Sequence, residues 1–365
     1  MIKIAFFITS LSSGGIENYL LRFLTYYKDK LEAVIYCKSG TTGELEDAFN
    51  QLPVTIIKYK LSLYNPLNIL KIKRNLKKYN FDAVIDFTAN FAAYPMIAAK
   101  WANIEHRVCW YRNADVKFKK TFFKLFFNKC MNLLTNNFAS NILSNSIAAF
   151  DNFYKHYPWR TDKRFKVIYN GIDVEKFLNN KETIRDELNL SNNDFLVGHV
   201  GRYDSQKNHE TAIKVASELC KSFNDIYFIF VGNGIKEALK LKIKSQDLEH
   251  RIFLFDYRDD IPLILNSIDC FYFPSTLEGN PNALIEAMVA GVPIIASNIP
   301  SIKEATPKQI HPYLIDPMDI KEAKQLILKI KTQDNFKEQL ICTNWAINQY
   351  NAAVQFKAFF DIINK

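Results

Sequence analysis

The 365-residue chain contains no run of about 18 apolar residues, so no membrane-spanning helix is expected. Its six cysteines (Cys37, Cys109, Cys130, Cys220, Cys270 and Cys342) are scattered and form no Cys-x-x-Cys pair. Cys109 and Cys270 fall in apolar, strand-like runs. That is the usage of buried thiols in a reducing compartment, and it excludes a disulfide frame or a cysteine zinc site. The six histidines form no His-x-x-x-His pair, so the pattern supports no metal centre. A helix-turn-helix, a zinc module and an aromatic RNA-binding signature are all missing, which argues against nucleic acid as a partner. No internal repeat or low-complexity tract occurs. Residues Met1–Gly15 are too short and too quickly broken by glycine for a signal peptide, and read instead as a first buried strand.

What is present is ample apolar material and an uneven charge. Hydrophobic residues make up 48% of the chain, enough for two cores at this length. Through Asn170 there are 25 Lys and Arg against 12 Asp and Glu; the remainder holds 22 against 26. A basic first half joined to an acidic second half points to an anionic partner for the first half alone.

Along the first half, strand-like runs at Lys3–Thr9, Ala33–Cys37, Val54–Lys58, Ala83–Phe87 and Arg107–Tyr111 alternate with helical patterns at Gly43–Gln51, Pro66–Tyr79 and Phe91–Trp101. Alternation at this pitch means an α/β domain with a parallel sheet covered on both faces. Ligands in such sheets bind at the carboxyl ends of the strands. The first strand runs into a loop with Gly14, Gly15 and Glu17, followed by a helix. Glycine there lets backbone N–H groups approach a phosphate closely, although the spacing is not that of a dinucleotide site and a tight turn without ligand is an equal reading. The fifth strand ends at Arg112, Asn113 and Asp115, where Asp115 is either a ligand-facing group or a helix cap.

The second half repeats the alternation, with strands at Phe195–Val200, Tyr227–Val231, Ile252–Phe255 and Ile268–Phe273 and helices over Asp319–Lys331 and Asn335–Lys365. Arg202 and Lys207 follow a strand end and precede a helix; a planar fork and a mobile point charge suit a diphosphate, and would repel each other without an anion between them. Phe271–Ser297 reads as strand, turn, helix, turn, strand. Asn282 is placed to cap the helix, Leu284, Ile285 and Met288 form its apolar face, and Gly291 ends it. Glu278 lies in the turn and Glu286 in the helix, with seven residues between them. The helix start is an anion site between two hydroxyl acceptors, a layout that matches a nucleotide-sugar.

Glu278-x7-Glu286, preceded by Ser275-Thr-Leu and followed by Ala287-Met-Val-Ala-Gly-Val-Pro293, resembles the signature of the retaining family 4 glycosyltransferases. So does Gly201-Arg202-x4-Lys207-Asn208, and Asn170-Gly-Ile-Asp173 resembles the family's hinge-side turn. The resemblance runs over nearly the whole chain and is strongest over residues 165–300. It implies the GT-B fold: two Rossmann-like parallel-sheet domains facing a central cleft, with an acceptor-side domain at residues 1–169, a nucleotide-sugar domain at 170–345, and a last helix at 346–365 crossing back to the first domain. By the same resemblance the protein is similar to bacterial transferases that build capsule, O-antigen or exopolysaccharide. It would move a hexose or N-acetylhexosamine, with retention and without metal or other cofactor, from a UDP-sugar rather than a GDP-sugar to a lipid-linked or saccharide acceptor. Arg202, Lys207 and Glu278 would be catalytic. Gly14, Gly15, Gly201, Asn280, Pro281, Asn282, Ala283 and Glu286 would bind the donor, and Glu17, Arg112, Asn113 and Asp115 stand on the acceptor side. Where many members have a histidine near residues 110–115, this chain has none. A nucleotide-sugar epimerase and a non-catalytic sugar-binding scaffold remain alternatives.

Residues 116–130 interleave lysines with phenylalanines. As a helix, Phe118, Phe122, Leu125 and Phe126 share one face bordered by lysines, a composition suited either to an anionic membrane interface or to a core helix with a basic flank. Lys117, Lys119, Lys120, Phe122, Phe123 and Lys124 are the membrane candidates. With the charge asymmetry, they suggest a cytoplasmic protein held peripherally on the inner face of the bacterial membrane.

Overall fold

The structure, a computed structural model, describes residues 1–12, 14–62, 64–112, 122–179 and 182–364. It divides into two compact units: residues 1–171 together with 353–365, and residues 172–352.

In the first unit the described residues form seven parallel strands: β1 (Ile2–Ile8), β2 (Leu31–Cys37), β3 (Val54–Lys58), β4 (Ala83–Asp86), β5 (His106–Tyr111), β6 (Asn141–Ser144) and β7 (Phe165–Val167). Their order across the sheet is β3-β2-β1-β4-β5-β6-β7. Ile4 to Ile8 of β1 are all fully buried, as a strand with helices on both faces requires. Register is direct, with Phe6 opposite Ile35 on one side and Ile85 on the other. The helix Gly15–Tyr26 buries Tyr19, Leu20, Phe23 and Leu24, and the final helix Ala352–Ile363 belongs with the same layer. Phe356 and Phe359 of that last helix meet Phe23 with ring centroids 5.7 and 4.7 Å apart, and Phe359 meets Trp110 at 4.5 Å. Each such ring buries enough apolar area to contribute about 1.5–3 kcal/mol, before any preference from edge-to-face geometry.

The second unit has β8 (Phe195–Val200), β9 (Ile226–Val231), β10 (Ile252–Phe255), β11 (Cys270–Phe273) and β12 (Ile294–Ala296), parallel and ordered β10-β9-β8-β11-β12. Both sheets therefore reverse direction of strand addition next to their first strand, between β1 and β4 in one and between β8 and β11 in the other. The crevice outside the strand ends at such a reversal is where open α/β sheets seat ligands.

Three expectations shift locally. Asn282 is the first residue of the Asn282–Val289 helix rather than its cap; Pro281, with extended backbone, takes the cap position and no side chain caps that end. Proline's fixed φ sets the entry angle, so a polar cap is not needed there. The helix expected over Gly43–Gln51 is confined to Glu46–Asn50, because Gly43 lies flat against the backbone of Leu11 and Ser12. The helix expected over Asn335–Lys365 is divided into three, Asp334–Gln339, Thr343–Tyr350 and Ala352–Ile363.

Candidate active site

In the second unit the loops that leave β8 and β11 lie side by side at the reversal of strand order. Thr276 N–H donates to Gln206 O at 2.8 Å, and Asn208 Nδ2 donates to Pro274 O at 3.2 Å and to Pro317 O at 2.8 Å. Asn208 reaches both because its own backbone is left-handed, with φ of 54°, a conformation that asparagine tolerates better than most residues. On this frame Lys207 and Glu278, 71 positions apart, form an ion pair with Nζ to Oε1 of 2.7 Å. Their side chains are 20% and 11% exposed. The lysine ammonium also lies 4.8 Å from the centre of the Phe273 ring. Gly201 leaves room for the lysine stem, since a Cβ there would stand 3.3 Å from Lys207 Cδ and Cε.

Arg202 behaves differently. Its side chain is 57% exposed and Asp204 approaches it at 3.7 Å. The mutual repulsion expected of Arg202 and Lys207 is thus relieved by a carboxylate beside each, before any ligand arrives. Asn280 and Pro281 are buried, while Asn282, Ala283 and Glu286 are partly exposed. Ile285 N–H is bonded back to Pro281 O at 3.1 Å, the start of the helical bonding pattern. Gly291, at φ of 81°, closes the helix in the left-handed conformation, as its sequence position suggested.

Beneath Lys207 lie two histidines that sequence reasoning did not assign. His199 and His209 have ring centroids 4.8 Å apart, and His199 Nδ1 is 3.0 Å from Tyr272 O. Burial is the main force holding both in the neutral form: it pushes His199 well below the usual histidine range and His209 down to about 4, with the Lys207 ammonium adding to the effect. Their signal was one histidine inside an apolar strand and another at the start of the next helix.

In the first unit the loop after β1 carries Gly14, Gly15 and Glu17. Gly14 precedes the helix, and the Glu17 carboxylate folds back over it: a Cβ at Gly14 would stand 2.6 Å from Glu17 Oε2. Among the described residues other than its chain neighbours and its own helix backbone, nothing lies within 4 Å of where a Gly15 Cβ would be. Arg112, at the end of β5, is buried beneath this loop. Its guanidinium stacks on Tyr19 at 4.1 Å and Nη2 donates to Gly15 O at 3.4 Å. Burial lowers its pKa to about 10, still fully charged at neutral pH. Lys38, after β2, reaches across the end of β1 to Asp86 at the end of β4. Lys38 Nζ donates to Asp86 Oδ2 at 2.8 Å, to Thr88 Oγ1 at 2.6 Å and to Phe91 O at 3.0 Å. The sequence shows Asp86 only as a strand end; the partner lies 48 residues away.

Asn113, Asp115, Lys117, Lys119 and Lys120 lie outside the described residues. Phe122 opens the helix Phe122–Phe138, in which Phe123 and Phe126 are 83% and 62% exposed and Lys124 is also exposed. Among the described residues no helix is long and apolar enough to cross a membrane, and no group of three or more His, Cys, Asp or Glu is placed to hold a metal ion.

Comparison with known proteins agrees with this layout. Residues 13–176 match the family model described as Glycosyltransferase Family 4, and residues 180–344 match that described as Glycosyl transferases group 1. The chain is 26% identical over 361 residues to the UDP-Gal:alpha-D-GlcNAc-diphosphoundecaprenol alpha-1,3-galactosyltransferase of Escherichia coli, covering 93% of this chain and 91% of that protein. It is 28% identical over 307 residues to the capsular polysaccharide biosynthesis glycosyltransferase CapH of Staphylococcus aureus, covering 82% of each. Among solved structures, Anabaena Alr3699/HepE in complex with UDP-glucose superposes with a TM-score of 0.82 at 20% identity over 100% of both chains, a likeness of fold. With a family 4 domain in its first half and a group 1 domain in its second, the chain belongs to the glycosyltransferases of the GT-B fold.

Proposed function

We propose that the protein is a retaining, metal-independent glycosyltransferase. It takes a hexose or N-acetylhexosamine from a nucleotide-sugar, UDP-linked in preference to GDP-linked, and transfers it to a lipid-linked or saccharide acceptor in the building of capsule or O-antigen. The observation that supports this reading is the meeting of the β8 and β11 loops, which pairs Lys207 with Glu278 at the reversal of strand order; Arg202 lies on the first of these loops and the start of the Asn282–Val289 helix follows the second. The relatives' printed activities, a UDP-galactose donor and diphosphoundecaprenol-linked acceptors among them, support the substrate classes.

In this reading Lys207, Arg202 and the first amides of the helix hold the donor diphosphate. Glu278 accepts hydrogen bonds from hydroxyls of the transferred sugar, and Glu286 from those of the ribose. Gly201, Asn280, Pro281 and Ala283 line the donor, and Gly14 and Gly15 offer amides to an anionic group on the first unit. The acceptor oxygen bonds to the anomeric carbon as the bond from that carbon to the diphosphate oxygen breaks, on the same face. The acceptor's proton passes to the departing diphosphate, so no side chain need act as base. Negative charge grows on the leaving group, and two cations with a row of fixed amides stabilise it more than they stabilise the ground state. Glu278 and Glu286 serve the sugar and the ribose and do not flank one bond as a hydrolase pair does.

The first unit is the acceptor side. Exposed Phe123, Leu125 and Phe126 beside Lys124 and Lys129 suit the inner face of the cytoplasmic membrane, where a lipid-linked acceptor resides. The test is nucleotide release from UDP-, GDP- and dTDP-sugars with and without a lipid-linked saccharide. Fast release that requires the acceptor is the expected result. Isomerisation of the donor alone, or no release from any donor, contradicts the reading.

A further inference from the structure

Lys207 is already paired with Glu278 at 2.7 Å, so in the donor reading a phosphate oxygen has to compete with that carboxylate for the lysine. The pair is not a casual surface contact. Its two loops are tied by the Thr276–Gln206 backbone bond and by Asn208, its lysine is seated over Phe273, and its side chains are four-fifths or more buried. Arg202 is loosely held and largely exposed, so it meets an anion without giving up a partner of this kind. The two cations therefore have different tasks. An incoming diphosphate adds to Arg202 but has to take Lys207 from Glu278.

Resting on the donor-site assignment proposed above, we infer that Glu278 is a specificity-determining internal anion: it holds Lys207 in the empty site and makes the site favour an intact nucleotide-sugar over the nucleoside diphosphate left after transfer. With the sugar attached, the donor brings hydroxyl groups that donate to Glu278 and replace the lysine it releases. After transfer those hydroxyls leave with the product. The remaining terminal phosphate carries roughly 1.5 to 2 negative charges at neutral pH and faces a carboxylate with no hydrogen to offer it. Glu278 then recaptures Lys207 and the diphosphate departs. A carboxylate beside a phosphate site, which would merely weaken binding of a simple anion, thus becomes a means of telling substrate from product. Discrimination of this kind uses a repulsive element as well as an attractive one.

The experiment is calorimetric titration of the full chain and its Glu278→Gln, Glu278→Asp and Lys207→Met variants with UDP and with UDP-glucose; GDP and GDP-mannose replace them if only the guanine pair binds. Glu278→Gln should bind UDP about five- to tenfold more tightly, the scale of a partly buried ion pair. It should gain nothing for UDP-glucose, so the ratio of the two affinities shifts toward UDP. Glu278→Asp, which withdraws the carboxylate by one methylene while keeping its charge, should shift the ratio the same way by a smaller factor, and it stands in if the glutamine variant fails to fold. Lys207→Met should weaken both ligands. If Lys207→Met weakens UDP while both Glu278 variants leave UDP affinity unchanged or lower, the inference is wrong and the donor site stands. If Lys207→Met leaves UDP affinity untouched, or neither nucleotide binds the wild type, the donor-site assignment fails and the inference goes with it.

Discussion

Replacing Gly232 by alanine should damage the proposed donor site through a neighbour that touches no ligand. Gly232 follows β9 and packs against the loop after β8: Gly201 N–H donates to Val231 O at 2.9 Å, and Tyr203 N–H to Asn233 O at 2.8 Å. A Cβ at Gly232 would stand 2.2 Å from Gly201 O, 2.4 Å from Gly201 C and 2.7 Å from Arg202 N. Ordinary contacts begin near 3.4 Å, and every neighbour here is backbone, so the Gly201–Arg202 peptide has to retreat by about 1 Å. Overpacking of this kind costs about 1–3 kcal/mol, and the φ of 156° at Gly232 adds backbone strain of similar order, as φ does at Gly234. For a unit of this size that lowers the melting temperature by about 2–4 °C per kcal/mol. Arg202 and Lys207 move with the peptide, and a displacement of about 1 Å at a reacting site can lower the rate by about a hundredfold. The expected result is therefore a moderately lower Tm and a fall of about 10- to 100-fold in kcat/KM. Gly234→Ala is the control. Its Cβ meets only Tyr203 Cβ at 3.5 Å, but its φ of 79° strains any side chain, so stability should drop while kcat/KM stays within about threefold. Equal kinetics for the two variants, or a Gly232→Ala enzyme that loses stability but keeps its rate, would refute the claim that this backbone contact positions the cations.

Five further outcomes are expected. Lys207→Ala should lower turnover by about one to three powers of ten in a donor-release assay, and Glu286→Ala should chiefly weaken donor binding. Unfolding should become easier in acid: His199 and His209 are held below the ordinary histidine pKa, so the unfolded chain takes up protons first, and stability present above pH 6.5 is lost as the pH falls toward about 4. For His209 the loss at pH 5 is about 2 kcal/mol, and His209→Gln should remove it in melts at pH 7.5 and 5.0. Asp86→Ala leaves the buried Lys38 ammonium without its counter-charge and should destabilise the first unit by about 3–5 kcal/mol in denaturant titrations, with Lys38→Met restoring part of it. Binding to vesicles containing anionic lipid should weaken with added salt, and Phe123→Ser with Phe126→Ser should weaken it at every salt concentration; binding indifferent to salt would point to an apolar anchor instead.

The strands were the most legible feature. Val54–Lys58, Phe195–Val200 and Ile252–Phe255 have the ends read from the sequence, because each is a short run made mostly of β-branched, aromatic and aliphatic residues; Phe195–Val200 is central and buried on both faces, the other two are partly exposed edge strands. Helix ends were harder to read. Asn282 looks like a cap by composition, yet Pro281 sets the entry; the Glu46–Asn50 helix is short because Gly43 packs on a loop more than thirty residues earlier. Arg202, Lys207, Glu278 and Glu286 were singled out by residue type and spacing. That Lys207 and Glu278 pair with each other was not, since it depends on β8 lying next to β11, and strand order is decided by tertiary packing. The same holds for Lys38 and Asp86 on either side of β1, and for Arg112, which reads as a polar strand-end residue and lies buried against Tyr19.

The most direct test is a crystal structure of the protein soaked with UDP-galactose or UDP-glucose. The diphosphate is expected within hydrogen-bonding distance of Lys207 Nζ, Arg202 and the amides opening the Asn282–Val289 helix, with Glu278 turned from the lysine to the sugar hydroxyls. A diphosphate bound elsewhere, with the 2.7 Å Lys207–Glu278 pair intact, would contradict the account.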